Sequence, residues 1–125
     1  MRTRVLTVLL LLGATAAPLA ADARSDAKKQ VEFGITVAQR GLWREAIYRW
    51  ERAAQIDPKY AEAYNDLAIA YEHEGDLEKA RVAYEKALGL EPNNALIKQN
   101  YELFKEINDR TTRKDTQDDP GNQNP

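Results

Sequence analysis

Cysteine is missing from this chain, and histidine, serine and methionine occur once each. Without cysteine there is no disulfide framework, no thiolate metal site and no thiol nucleophile. The only serine, Ser25, precedes Asp26 where a first helix is expected to start. It reads as an N-cap, and no base can be assigned to it. The only histidine, His73, has Glu72, Glu74 and Asp76 close in sequence. Glu72 and Glu74 stand one step from His73 and point to different faces, and Gly75 ends the helix before Asp76, so these groups do not converge on one ion. Glycine-rich phosphate loops are absent. An excess of one charge is missing too: 18 Lys and Arg stand against 20 Asp and Glu, a net charge of −2. That balance supplies no basic footprint for nucleic acid. The chain therefore reads as a non-enzyme, with no cofactor, no metal and no nucleic-acid partner.

One long apolar run is present, at the amino terminus. Arg2 and Arg4 precede an unbroken stretch from Val5 to Leu12, followed by Gly13-Ala14-Thr15-Ala16-Ala17 and then Pro18. A charged start, an apolar middle and a small-residue exit are the marks of a secretory signal peptide over residues 1–23. Ala21-Asp22-Ala23 is the cleanest exit, predicting cleavage before Arg24, with a cut after Ala20 as the alternative. The rival reading is an uncleaved anchor, but Val5 to Ala21 is at the lower edge of a spanning length and Pro18 breaks its end. A lipid anchor at such an exit requires the missing cysteine. The expectation is an exported protein, periplasmic or secreted from a bacterial cell envelope, with no stable membrane insertion after cleavage.

Beyond that segment, shifting the chain by 34 residues aligns Gly41 with Gly75, Ala46 with Ala80, Ala53 with Ala87 and Pro58 with Pro92. Similar residues join them: Phe33 with Leu67, Gly34 with Ala68, Val37 with Tyr71, Trp43 with Leu77, Trp50 with Tyr84 and Ile56 with Leu90. A sustained period of this length means stacked supersecondary units. Each unit reads as two helices. Tyr64, Leu67, Ala68 and Tyr71 fall on one helical face, and Leu77, Ala80, Tyr84, Ala87 and Leu88 form the inward stripe of the next. Gly75 ends the first helix in a left-handed cap, Asp76 caps the second, and Pro92 closes it. Ala80 and Ala87 leave room for the tyrosines, where a larger side chain would overpack.

The segment Ala61 to Asn94, AEAYNDLAIAYEHEGDLEKARVAYEKALGLEPNN, resembles the tetratricopeptide repeat family at Leu67, Ala68, Tyr71, Gly75, Ala80, Tyr84, Ala87 and Pro92. Tyr64 stands where the family often has Trp. The unit 27–60 is more degenerate, with Gln30 and Val37 at the aromatic positions, but it keeps Gly34, Gly41, Ala46, Trp50, Ala53 and Pro58. Its departures suit a terminal repeat whose outer face meets solvent. Residues 95–108 read as a capping helix, with Leu96, Ile97, Tyr101, Phe104 and Ile107 on one side. The polar residues 109–125 read as a disordered tail. The expected fold is all-α: a short α-solenoid of two helix-turn-helix repeats over 27–60 and 61–94 with a C-terminal cap, in a helical domain spanning 24–108.

The resemblance implies that each repeat's first helix lines a concave, protein-binding face. Transferred residue by residue, it offers Lys28, Val31, Ile35, Ala38 and Gln39 from the first unit. The second offers Glu62, Asn65, Ile69, Glu72 and His73, and the cap adds Gln99, Leu103 and Glu106. Val31, Ile35, Ile69 and Leu103 would then form an exposed apolar patch, which on a small protein marks an interface. The alternative for Val31 and Ile35 is packing between the repeats. Asn65 could bond a bound backbone as donor and acceptor, or bond within the helix pair. Lys and Asn clamp a terminal carboxylate in part of the family; Val31 and Ile35 occupy those positions here, so that specificity does not transfer. The chain reads as an exported adaptor binding another protein or peptide. The alternative is a self-associating structural protein, a homodimer or a fixed subunit of an envelope complex, because two repeats are short for independent stability.

Overall fold

A computed structural model describes residues 17–117. Five helices follow one another: α1 (Ala17–Ala38), α2 (Trp43–Ile56), α3 (Ala61–His73), α4 (Leu77–Leu90) and α5 (Ala95–Gln117). There is no strand among the described residues. α1 pairs with α2 and α3 with α4 across short turns. α2 packs on α3, α5 on α4, and α1 also touches α3. This is the short all-α solenoid that the repeat period implies.

The glycine closures of the two hairpin turns repeat each other. Gly41 and Gly75 have φ of 78° and 79°, a left-handed conformation open to glycine at little cost. At the first turn Gly41 N–H donates to Ala38 O (2.8 Å) and Leu42 N–H to Val37 O (3.0 Å). At the second, Gly75 N–H donates to Glu72 O (3.1 Å) and Asp76 N–H to Tyr71 O (2.8 Å). Each pair is a Schellman closure that satisfies the last carbonyls of the helix. The repeats differ one residue later. Asp76 accepts a capping bond from Lys79 N–H, whereas Leu42 has no side chain to cap α2. α5 opens on Asn94, which accepts from the N–H groups of Leu96 and Ile97.

More than half of the buried apolar residues are alanines, among them Ala46, Ala53, Ala68, Ala80 and Ala87, each fully enclosed. Small side chains let the helices approach closely, and the few large residues fill what is left. Tyr84 is the largest fully buried side chain, with ring centroids 5.5 Å from Tyr101 and 5.4 Å from Phe104 of α5. The corresponding residue of the first hairpin, Trp50, lies over Gly34 of α1. Its Nε1 donates to the Val31 carbonyl at 3.2 Å. A Cβ on Gly34 would lie 2.8 Å from two Trp50 ring carbons, and closer still to Nε1.

Three expectations change at the ends of the array. Ser25 does not cap a helix: α1 begins at Ala17, so Ser25 is exposed within it. The alanine-rich stretch from Ala17 favours helix, and Pro18 is tolerated in a first turn. α5 does not end at Asn108 but continues to Gln117. Glu106 and Arg110 pair one turn apart, and the Thr111 and Thr112 hydroxyls donate to the carbonyls of Ile107 and Asn108. These contacts supply local partners to a segment expected to be disordered. On α5, Ile97 and Phe104 are buried, yet Leu96 and Ile107 are 62% and 48% exposed, so its inward stripe is narrower than expected. Most of the expected signal peptide lies outside the described residues, as does the end of the expected tail. No helix among the described residues is long and apolar enough to cross a membrane.

The Gly34–Trp50 contact generates a paired prediction. Gly89 lies in α4 with open space where a Cβ would go. Gly89→Ala should stabilise the protein by up to about 1 kcal/mol through reduced chain entropy. Gly34→Ala gains the same entropy but drives a methyl into the indole, and should cost about 1–3 kcal/mol net. Urea denaturation of the two variants measures both signs.

Candidate protein-binding groove

α1 and α3 flank a groove of about 290 Å³ lined by Ile35, Ala38, Gln39, Trp43, Trp50, Asp66 and Ile69. Ile35 and Ile69 are each 37% exposed. They are equivalent positions, 34 residues apart, one on each repeat's first helix. Trp43 is half-buried at the start of α2, and its ring stacks on His73 at a centroid distance of 4.0 Å. Together the side chains make an open, mainly apolar and aromatic trough.

Asp66 is its polar element. Its Oδ1 accepts from the Asn65 side-chain amide at 3.3 Å, while Oδ2 is buried with no hydrogen-bond partner. Burial, reinforced by the neighbouring Glu62 carboxylate, raises the Asp66 carboxyl from its ordinary 3.8 to about 7; the Asn65 bond opposes this. A carboxylate in apolar surroundings pays for lost hydration, and proton uptake relieves that cost.

The expected site residues divide. Ile35, Gln39 and Ile69 come together in the groove, and His73 joins its rim through Trp43. Val31 does not: it is 1% exposed and packs in the core, with its carbonyl accepting from Trp50. Val31 is therefore a core residue of the first hairpin, and the apolar patch is smaller than expected. Asn65 is 4% exposed, and its Oδ1 accepts from Asn100 of α5 at 3.0 Å. Its amide ties α3 to the cap and presents no free handle to a peptide. Lys28 and Glu62 are exposed and do not line the groove, Glu62 accepting from the Tyr60 hydroxyl at 2.7 Å. Glu72 accepts from the Tyr84 hydroxyl at 3.1 Å. Leu103 is 53% exposed on α5 and is not among the residues lining the groove.

Trp43, Trp50 and Asp66 are groove residues that reading the repeat missed. The family pattern assigns second helices to the outside, which set both tryptophans aside. Asp66 stood one residue from Asn65 and three from Ile69; the i, i+3 step to Ile69 was the available signal. A second hollow, about 400 Å³, lies between α3 and α4 and is lined by Tyr64, Leu67, Tyr71 and Val82 among others. The Lys79 and Lys86 ammonium groups lie over the Tyr71 and Tyr64 rings on its walls, and it contains no unpartnered buried polar atom. No cluster of three metal-binding side chains occurs among the described residues.

The helical hairpins, their left-handed glycine turns and the groove on the first helices define a helical-repeat scaffold of the protein-binding class. Residues 61–94 match the tetratricopeptide repeat model and residues 37–75 match a further TPR repeat model. Together the two models span residues 37–94, over which the chain is similar to tetratricopeptide repeats. The chain is 32% identical over 89 residues to the type IV pilus assembly protein PilF of Pseudomonas aeruginosa, covering 70% of this chain and 35% of that one. It is 29% identical over 74 residues to the chloroplastic tetratricopeptide repeat domain-containing protein PYG7 of Arabidopsis thaliana, covering 59% and 25%. A small glutamine-rich tetratricopeptide repeat-containing protein of Mycosarcoma maydis is 33% identical over 69 residues, covering 55% and 20%. The chain spans about a third or less of the length of these relatives.

The raised Asp66 carboxyl fixes the sign of one pH effect. The folded protein binds this proton more tightly than the unfolded chain does, so Asp66 lowers stability as pH rises from about 4 to about 7. Asp66→Asn should be more stable than the parent at pH 8, by roughly 2–4 kcal/mol, and little different at pH 4. Urea denaturation of both proteins across that range measures the divergence.

Proposed function

We propose that this chain is an exported, non-enzymatic adaptor that binds a protein or peptide segment in the groove between α1 and α3. The observation that carries the reading is the recurrence of Ile35 and Ile69, each more than a third exposed at equivalent repeat positions in a groove they share with the Trp43 ring. A preformed apolar trough on packed helices reduces the ordering cost of binding and supplies anchoring pockets. The tetratricopeptide match supports protein binding as the activity. The similarity to a type IV pilus assembly protein supports work in a cell-envelope assembly.

Export rests on the amino-terminal pattern. Leu19 is 76% exposed, whereas Arg24 bonds Asp57 and the Lys59 carbonyl and lies over the Tyr60 ring. A cut before Arg24 keeps this tie between α1 and the α2–α3 turn. The mature protein isolated from producing cells should therefore begin at Arg24, with Ala21 as the alternative start, when its mass is determined. A mass retaining Met1 would contradict cleavage.

The groove is tested by affinity capture from envelope extract with the parent and an Ile35→Glu, Ile69→Glu double variant. Both sites are already partly hydrated, so the variant should fold, and its partner recovery should fall at least ~10-fold. Equal recovery by both folded proteins would contradict the assignment. A second reading, self-association or a fixed place in a larger complex, is favoured by Leu96, Leu103 and Ile107 on α5, each about half exposed or more. Light scattering after size exclusion separates them: a tight dimer supports the second reading, and a concentration-independent monomer supports the free adaptor.

A further inference from the structure

We propose that the groove selects a partner segment carrying a lysine or arginine among apolar residues, and that Asp66 receives the cationic head. The proposal rests on the groove being the binding site and names the chemistry of its occupant.

The groove holds one unmet polar requirement. Asp66 Oδ2 has no donor, and its Oδ1 receives a single long bond from Asn65. Two nearby donors are committed elsewhere, and the Gln39 amide lines the groove without bonding Asp66. The Trp50 indole N–H goes to Val31 O, and the Asn100 amide goes to Asn65. The groups around Asp66 include no cation that pairs with it. α1 presents the neutral Gln39, α2 presents Trp43 and Trp50, and α3 adds Glu62 and Asn65. His73 is engaged with the Trp43 ring, and α5 reaches the region through the neutral Asn100. The Tyr84 phenol of α4 and the Tyr60 phenol ahead of α3 also face the Asp66 charge, and neither is a cation. None of the ion pairs among the described residues includes Asp66.

Two negative side chains beside an open, apolar and aromatic trough make a cation the complementary ligand. A basic side chain is built for this shape. Its aliphatic stem packs along Ile35, Ile69 and the tryptophan rings, while the head pairs with the carboxylate and gains from an adjacent aromatic face. A purely apolar segment would leave the buried oxygen unpaired, which is costly where water is excluded. Because burial holds the Asp66 proton near neutral pH, cation binding also displaces that proton, and affinity for a basic segment should rise with pH.

The test uses the full chain and a phage-displayed library of random 12-residue peptides. Selections run in parallel on the parent, on Asp66→Asn and on Ile35→Glu, Ile69→Glu. The parent should enrich peptides with Lys or Arg beside apolar residues; Asp66→Asn should enrich apolar peptides without that bias; the double variant should enrich neither. A selected peptide is then compared with its norleucine counterpart by fluorescence polarisation. At pH 8 the parent should prefer lysine by about tenfold, shrinking at pH 6 to about twofold, while Asp66→Asn should show a small preference that does not change with pH. Groove-dependent peptides without basic enrichment, or a lysine preference that survives Asp66→Asn undiminished, would overturn the role of Asp66 and leave the groove standing. Failure to select any peptide that depends on Ile35 and Ile69 would overturn the groove and this proposal together.

Discussion

The seating of Trp50 against Gly34 is the contact on which the first hairpin and the groove both depend. α1 is the first of the described helices, and among them it packs only on α2 and α3, leaving its outer side uncovered. Phe33 is accordingly half exposed, under the Arg49 guanidinium 4.3 Å from the ring centroid. What retains α1 is its inner side, where glycine permits an indole to lie flush with the helix and donate to a backbone carbonyl. That buried, hydrogen-bonded aromatic brings a large apolar area to a helix whose own buried hydrophobic residues are Ala27, Val31 and Val37. The same ring contributes to the groove wall, so the contact that fixes α1 also sets the distance between Ile35 and Ile69. The second hairpin solves the same problem differently, with Tyr84 under α3 and the α5 aromatics completing the stack.

A groove formed this way carries a polar cost. Asp66 sits where an apolar residue would pack without penalty, and its carboxyl is destabilised by burial and by Glu62. Neighbouring amides show the contrasting case. Asn65 is more deeply buried than Asp66, yet its oxygen is paired with Asn100 and it works as a bolt between α3 and α5. A satisfied buried amide reads as structure, and an unsatisfied buried carboxyl at an open apolar trough reads as recognition.

The architecture was legible because the 34-residue period carries the turn chemistry with it. Gly41 and Gly75, and the prolines that follow α2 and α4, mark boundaries through local backbone constraints that need no knowledge of distant contacts. The site was only partly legible, for the opposite reason. Ile35, Gln39 and Ile69 follow from repeat position alone. The burial of Val31 depends on how close α1 approaches α2, and the occupation of Asn65 depends on a residue in another helix. Trp43 and Trp50 enter the groove because α1 lies close against α2, which a pattern of inner and outer helices does not express. The ends were least legible, since Ser25 and the segment after Asn108 are governed by weak propensities and by pairs one turn apart.

The two tryptophans allow a direct test of the central contact, through hydrogen exchange of their indole N–H groups followed by NMR. Trp50 is 3% exposed and bonded to Val31 O, whereas Trp43 is half-buried at the groove rim. The Trp50 indole proton should exchange only through global opening, slowing and quickening with overall stability as denaturant is varied, while that of Trp43 exchanges through local fluctuation. A Trp50 proton that exchanges as freely as that of Trp43 in the folded protein would contradict the account.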